Sequence, residues 1–523
     1  MSAAASAAPT SAARVGVDPI ECVHVMENHD QAYCIWRDAG VKDRILVHID
    51  AHHDMWWIDD NRSITIANFI CPALKEGIVR EVYWVVPDAT WEGRAGQRAV
   101  LRHLRKILKK YPESSRRPKI GERSITATVL GKPLTVCPLA SLPVIAEQVL
   151  LDLDTDYLLI PRVSYGESDA HSRLPWRWPG ELVARIASSA IRARIVTVAY
   201  SVEGGYTPLK WKYLGDELAL RIRQPEDSRA LAGLEALGLA AQRMAASDHP
   251  GAEREYRRAQ EILPASAAPL FHLALHSAQL GRMEEARRFY ADALAADPSY
   301  RSPYLGNGFV LQWDGHREEA ARAHRAVIEI DPANHYACLG LAQIAAQRRQ
   351  YAQAEDLFRR VLALTPDSVD AQRGLAKLLS RRGLIGEAVS LYESSMRLAL
   401  HGHRPLAAPI VTDDDSRRLL DSGHSSTYEA LAALYAKRGD AARAIAACRI
   451  SIAGSNDGFL IRWRLAGLYL GRKNWREAGV NYLRMFARAP SSLRATWKRA
   501  SRRLKRRVRS LLTPRRISGE LWV

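Results

Sequence analysis

The chain has no apolar run of 18 or more residues, so nothing in it reads as a membrane span. Its six cysteines (22, 34, 71, 137, 338 and 448) are scattered and form no CxxC pair. That spacing excludes a thiolate metal ribbon and fits reduced thiols in a cytoplasmic protein. Residues 1–17 lack the apolar core of a signal peptide; rich in alanine and serine, they read as a disordered tail. Acid is nearly missing from residues 491–523, where 11 Lys and Arg face only Glu520. This tail holds most of the formal charge of +18, so the remainder of the chain is only mildly basic. It reads as a solvated basic tail, with helical spacing over 498–509 suited to an acidic surface. No specific nucleic-acid function is expected from it.

Acids and imidazoles are instead concentrated at two points. Asp50-Ala51-His52-His53-Asp54 follows the apolar run Ile45-Leu46-Val47-His48-Ile49, which reads as a buried β-strand. Near residue 150 the pattern recurs: Val149-Leu150-Leu151 leads into Asp152-Leu153-Asp154-Thr155-Asp156. In open α/β sheets, ligands gather beyond the carboxyl ends of the strands. Asp50, His52, Asp54, Asp152 and Asp154 therefore bring four carboxylates and an imidazole toward one place. Unpaired, those carboxylates repel, and some have to stay protonated. Divalent cations relieve the repulsion, and an oxygen-rich set with imidazole suits Mn²⁺, Mg²⁺ or Fe²⁺ better than a thiolate zinc site. Solvated acids at two strand ends are the plainer reading, and the pairing of the two motifs argues against it.

Around these motifs, strand candidates at 45–50, 81–87, 149–154 and 194–200 alternate with helical spacing at 98–110 and 178–193. Such alternation predicts a parallel sheet covered on both faces, within a domain spanning 18–225. The segment 161–179, rich in Pro, Gly and Ser and carrying His171, reads as a loop bordering the site.

Residues 230–490 are periodic. Pro264, Pro298, Pro332 and Pro366 are 34 residues apart. Gly281, Gly315 and Gly383 fall on a second grid of the same period, with Arg349 in the remaining place. Ala252, Ala286, Ala320, Ala354 and Ala388 form a third. After an insertion near 401–424, read as a surface loop, the grid resumes with Gly439 and Ala444, then Lys473 and Ala478. A helix–turn–helix unit of this length resembles the tetratricopeptide repeat, and six or seven copies are expected. Glycine eases the turn, alanine allows close helix approach, and proline ends each second helix. Such arrays form an all-α solenoid with a concave surface for a peptide or protein partner; self-assembly is the other use. Capture by repeats and reaction at strand ends read as separable tasks. A chain ending near Gln224 is expected to keep the whole ligand set.

The motifs also resemble a known superfamily. His48 to Met55 resembles the Asp-Ala-His-x-Asp signature of arginases and agmatinases, and Leu151-Asp152-Leu153-Asp154 resembles their second aspartate signature. Asn28-His29-Asp30-Gln31-Ala32 resembles the upstream histidine motif. Glu203-Gly204-Gly205-Tyr206 resembles a late glutamate turn also found in histone deacetylases. The runs 28–36 and 201–208 are most similar to peptide arginases of ribosomal-peptide biosynthesis, which convert arginine to ornithine within a peptide. The resemblance implies an arginase-like α/β fold and two Mn²⁺ ions held by His29, Asp50, His52, Asp54, Asp152 and Asp154. It also implies that Glu203 faces the guanidinium of an arginine-containing precursor peptide. The chain departs from free-arginine arginases at Trp56, where they carry asparagine, and at Ile70, where they carry histidine. His53 and His171 are the candidates for the proton shuttle this removes. Another amidohydrolase or deacetylase of the same fold, and a repeat scaffold with a degenerate metal domain, are the alternatives.

Overall fold

The computed structural model describes residues 16–17, 22–56, 64–111, 113–115, 117–163, 174–203, 205–303, 305–306, 308–313, 315–401, 425–453 and 459–487. His171, nearly all of the 1–17 tail, the insertion at 402–424 and the basic tail at 491–523 lie outside the described residues. The chain divides into two compact units, Met1–Leu364 and Thr365–Val523. All six cysteines are free. No helix among the described residues is long and apolar enough to cross a membrane.

The first unit begins with a mixed sheet. Its strands are β1 (Gly16–Val17), β2 (Val23–Met26), β3 (Arg44–Ile49), β4 (Val79–Val85), β5 (Lys119–Ile120), β6 (Ile125–Val129), β7 (Lys132–Cys137), β8 (Gln148–Asp154) and β9 (Arg192–Ala199). The order is β1-β9-β8-β3-β4-β7-β6-β5, with β2 also paired to β9. Every pairing from β2 through β9, β8, β3 and β4 to β7 is parallel, while β5 and β6 form an antiparallel edge. The central strands β3 and β8 are buried along nearly their whole length, which explains their unbroken apolar runs. All four strands expected from sequence are present. The expected helix over 178–193 is shorter, Pro179–Ser188. Ala190 takes a left-handed conformation that stops the helix, and the alternation of Arg192, Ala193, Arg194 and Ile195 belongs to β9.

Helices α1 (Gln31–Asp38), α2 (Ile70–Lys75), α3 (Arg94–Leu108), α4 (Pro179–Ser188) and α5 (Tyr213–Arg223) accompany the sheet. In α3 the buried residues Gly96, Ala99, Val100, His103, Leu104, Ile107 and Leu108 recur at helical spacing, which leaves the basic residues on the other face.

Helix pairs follow. They are α6 (Ser228–Ala245) with α7 (His249–Ile262), α8 (Ala267–Gln279) with α9 (Met283–Ala296), α10 (Gly308–Trp313) with α11 (Arg317–Ile330), and α12 (His335–Gln347) with α13 (Tyr351–Leu364). The second unit contributes α14 (Val369–Arg381) with α15 (Ile385–His401), α16 (Ser425–Lys437) with α17 (Ala441–Ala453), and α18 (Phe459–Gly471) with α19 (Trp475–Ala487). Seven pairs thus stand among the described residues. Pro264, Pro298, Pro332 and Pro366 each sit two residues beyond a second helix, where the missing N–H costs nothing. The turn grid is conformational. Gly281, Gly315, Gly383 and Gly439 have φ of 76°, 88°, 82° and 80°, and Arg349 and Lys473 adopt 62° and 58°. Every φ on this grid is positive even where the residue is not glycine, so the turn geometry, and not the residue, is what repeats.

The architecture changes between α5 and α6, yet the compact units divide much later. One apolar core runs through both architectures, from Val23, Leu151 and Val196 in the sheet to Leu237, Phe271 and Tyr290 in the repeats. The grid alanines are fully buried, and Ala320 clusters with Ala321 and Ile344, against which Leu311 and Leu341 pack. Ala320→Leu is therefore expected to destabilise the protein by about 1–3 kcal/mol through overpacking, read as a lower denaturation midpoint. An unchanged midpoint would show that helix approach at this grid is loose.

Candidate metal centre

Four neighbouring parallel strands, β2, β9, β8 and β3, end on one side of the sheet. Each carries chemistry at its carboxyl end: Glu27, Asn28 and His29 after β2, Ser201 and Glu203 after β9, Asp152 and Asp154 in β8, and Asp50 after β3. Register aligns them. His48 pairs with Asp152 and Asp152 with Thr197, so three polar side chains form a row on one face.

His29 is the hub. Its Nε2 lies 2.8 Å from Asp152 Oδ2, and its Nδ1 lies 3.0, 3.2 and 3.3 Å from oxygens of Asp154, Asp54 and Asp50. His48 Nδ1 also meets Asp152 Oδ2, at 2.8 Å. Thr197 donates to Asp152 and Ser201 to Asp154, which fixes both carboxylates from behind. On the other side of Asp50, the His52 N–H donates to Asp50 Oδ1 at 2.6 Å and His52 Nδ1 meets Asp156 Oδ2 at 2.8 Å. The Phe69 ring packs 4.9 Å from His29, and the half-exposed Tyr206 ring packs 4.5 Å from His52. Five aspartates (50, 54, 152, 154 and 156), all buried, thus surround three imidazoles.

The electrostatics follow from this crowding. Burial lowers the pKa of His29, but the carboxylates of Asp152, Asp154 and Asp50 outweigh it and hold the imidazole well above its ordinary value. His48 is pushed up to about 10 by the same competition, with Asp152 and Asp50 prevailing over burial. Burial raises Asp152, yet His29 and His48 bring it down to about 2. The two aspartates with less cationic company go the other way. Burial and Asp50 push Asp54 up to about 6, and burial with Asp154 and Asp50 raises Asp156 strongly.

Nδ1 of His29 and Nε2 of His48 each lie 3.3 Å from Asp50 Oδ2, as ion-pair contacts without hydrogen-bond geometry, and Oδ1 of Asp156 is buried with no hydrogen bond. Three carboxylates converge on the one Nδ1 of His29, more than a single N–H can satisfy, and the surplus buried negative charge suits a further cation. Two triads have ligand atoms within 4.8 Å of one another, His29 with His48 and Asp50, and Asp50 with His52 and Asp156. They share Asp50. A donor set of carboxylates and imidazoles suits hard or borderline divalent cations.

All six residues expected to hold metal are brought together here. Two more, His48 and Asp156, belong to the cluster and were not in that set. His48 lies two residues before Asp50 on β3, hence on the same face, and Asp156 extends the aspartate alternation beyond Asp154. Both signals were in the sequence. Glu203 stands at the rim on an exposed turn, where its carboxylate accepts from Asn28 at 3.2 Å. The Val202 and Glu203 N–H groups both donate to Glu27 Oε1, at 3.1 and 3.0 Å. His53 points elsewhere: its ring packs among Trp56, Trp84 and His103, and its Nδ1 accepts from the Met55 N–H. Asp54 and Ser201, one on each side of the cluster, hold left-handed backbones with φ of 46° and 54°. Strain of this sort in non-glycine residues collects where a side chain has to be aimed.

Three matches to tetratricopeptide-repeat family models cover residues 237–301, 314–378 and 345–397. No curated protein sequence matches the chain. Among solved structures, MamA is 17% identical over 35% of this chain and 95% of its own, with a TM-score of 0.29. A tetratricopeptide repeat protein from Parabacteroides merdae is 19% identical over 50% of this chain and 94% of its own, with a TM-score of 0.25. YrrB, described as a TPR protein with an unusual peptide-binding site, is 19% identical over 39% of this chain and 95% of its own, with a TM-score of 0.25.

Beside the centre, burial followed by the charge of His52 lowers His103 to about 4. A lowered folded-state value means that the unfolded chain takes up the proton first as pH falls below the ordinary 6.5. Stability from a neutral His103 is therefore full above pH 6.5 and is lost on the way to about pH 4. Between pH 7 and pH 5 the wild type should lose about 2 kcal/mol more than His103→Gln, measured by denaturant titration at both pH values. Equal losses would show that His103 titrates normally.

Proposed function

We propose that the chain is a metal-dependent hydrolase that converts arginine within a ribosomally made peptide to ornithine, releasing urea. The observation that carries this reading is the convergence of five aspartates and three imidazoles at four adjacent strand ends, with ligand atoms facing one another. The similarity of those motifs to peptide arginases supplies the substrate class.

The donor set fits two Mn²⁺ ions. His29, Asp50, His52, Asp54, Asp152 and Asp154 would hold them, with His48 and Asp156 alongside and Asp50 common to both triads. Divalent cations supply Lewis acidity and make water a competent nucleophile near neutral pH. The remaining work belongs to the chain. Glu203 takes the guanidinium by charge-assisted hydrogen bonds, which fix its plane and orientation. Asn28 steers the Glu203 carboxylate, and Glu27 holds the backbone of that turn through two N–H groups. Thr197 and Ser201 keep Asp152 and Asp154 aimed inward. Tyr206 covers His52 at the mouth and narrows the access of bulk water. The Trp56 main chain is held by the Tyr111 hydroxyl where free-arginine arginases place an asparagine, which agrees with a substrate whose α-amino group lies within a peptide.

The repeats serve capture in this reading. A solenoid offers an extended concave surface, and joining it to the reaction centre raises the effective concentration of the target arginine.

Incubated with Mn²⁺ and an arginine-containing peptide, the protein should lower the peptide mass by about 42 Da per converted arginine, as hydrolytic loss of urea requires. Glu203→Gln should raise KM by about ten-fold or more while Mn²⁺ content stays the same, because one charge-assisted contact is lost. Hydrolysis of free arginine without any change in peptides would overturn the peptide assignment. An unchanged mass for both substrates would overturn the hydrolase assignment.

A further inference from the structure

The Glu203 turn is supported from the repeat side. Lys212, just before α5, is buried. Its Nζ donates to Asp297 Oδ2 at 3.0 Å and to Ser299 Oγ, both in the segment that follows α9. The ammonium lies 4.9 Å from the centre of the Tyr200 ring and 5.1 Å from that of Tyr300. Tyr200 directly follows β9 of the sheet and Tyr300 follows α9 of the repeats, so one cation is held between an aromatic ring from each architecture. Tyr300 is itself fixed: its carbonyl accepts from the Tyr290 hydroxyl, and its ring packs 4.9 Å from Phe271.

Tyr200 immediately precedes Ser201-Val202-Glu203. Its N–H donates to the Met26 carbonyl and its hydroxyl to Asp216 of α5. Glu27, next to Met26, is the acceptor for the Val202 and Glu203 N–H groups.

We propose that Lys212 is a positioning residue: clamped by Asp297 and Ser299 of the repeat array, it fixes the turn from Tyr200 to Glu203, and the first repeats are thereby part of the reaction centre. The catalytic consequence rests on Glu203 receiving the guanidinium, whereas the structural consequence does not. A chain ending near Gln224 keeps every expected metal ligand, but by this proposal it holds the Glu203 turn less firmly. Such a chain lacks Asp297, Ser299 and Tyr300, so Lys212 loses both of its acceptors and one of its two rings.

The test uses the full-length chain and hydrogen exchange, read on a peptide covering residues 200–207. Lys212→Met and Asp297→Asn should each speed exchange there about ten-fold, while a peptide covering 148–154 in β8 exchanges as in the wild type. In turnover, the same variants should raise KM more than they lower kcat, since they loosen the grip on substrate and leave the metal ligands in place. If Lys212→Met does not fold, Asp297→Asn and the milder Ser299→Ala carry the test. Wild-type exchange at 200–207 in folded variants would overturn the proposal. Faster exchange together with no wild-type hydrolysis of any arginine peptide would uphold the clamp and reject the hydrolase assignment, so the two failures are told apart.

Discussion

Five buried carboxylates packed against three imidazoles cannot be stabilised by packing alone, and much of the sheet domain is arranged around that crowding. Parallel pairing of β2, β9, β8 and β3 is what allows residues from four distant stretches to end at one edge. The register then decides which side chains share a row, as with His48, Asp152 and Thr197. Repulsion is divided unevenly. Asp152, between two imidazoles, stays ionised down to about pH 2, whereas Asp54 is pushed up to about 6. The proposed divalent cations would neutralise the carboxylates that the imidazoles leave unpaired.

The repeats are joined to this centre by more than a peptide bond. The core is continuous from the sheet into α6–α9, and a buried lysine is shared between Tyr200 and Tyr300. A functional site of the proposed sort needs its groups held closely by the residues around it. The Glu203 turn obtains its support from Glu27 below and, through Lys212, from the segment after α9.

Much of this was legible in the sequence because the signals are periodic or apolar. The central strands announce themselves through Ile45–Ile49 and Val149–Leu151, and a residue two positions from a ligand on such a strand must share its face. His48 could have been added on that ground. The 34-residue grids survive even where glycine is replaced, since Arg349 and Lys473 adopt the same positive φ. What stayed hidden depends on tertiary placement. β2 is four residues long and carries no strand signal strong enough to stand alone; it exists because β9 offers it an edge. The end of α4 is set by a left-handed Ala190, which its residue type does not reveal. Tyr200 and Lys212 lie far in sequence from Asp297 and Tyr300, so no spacing rule could have joined the two pairs.

The most direct measurement is anomalous diffraction at the manganese edge from crystals of the full chain grown with Mn²⁺. Two peaks are predicted, one beside His29 and one beside His52, with the Asp50 carboxylate between them. A single peak, or peaks only outside this cluster, would contradict the account.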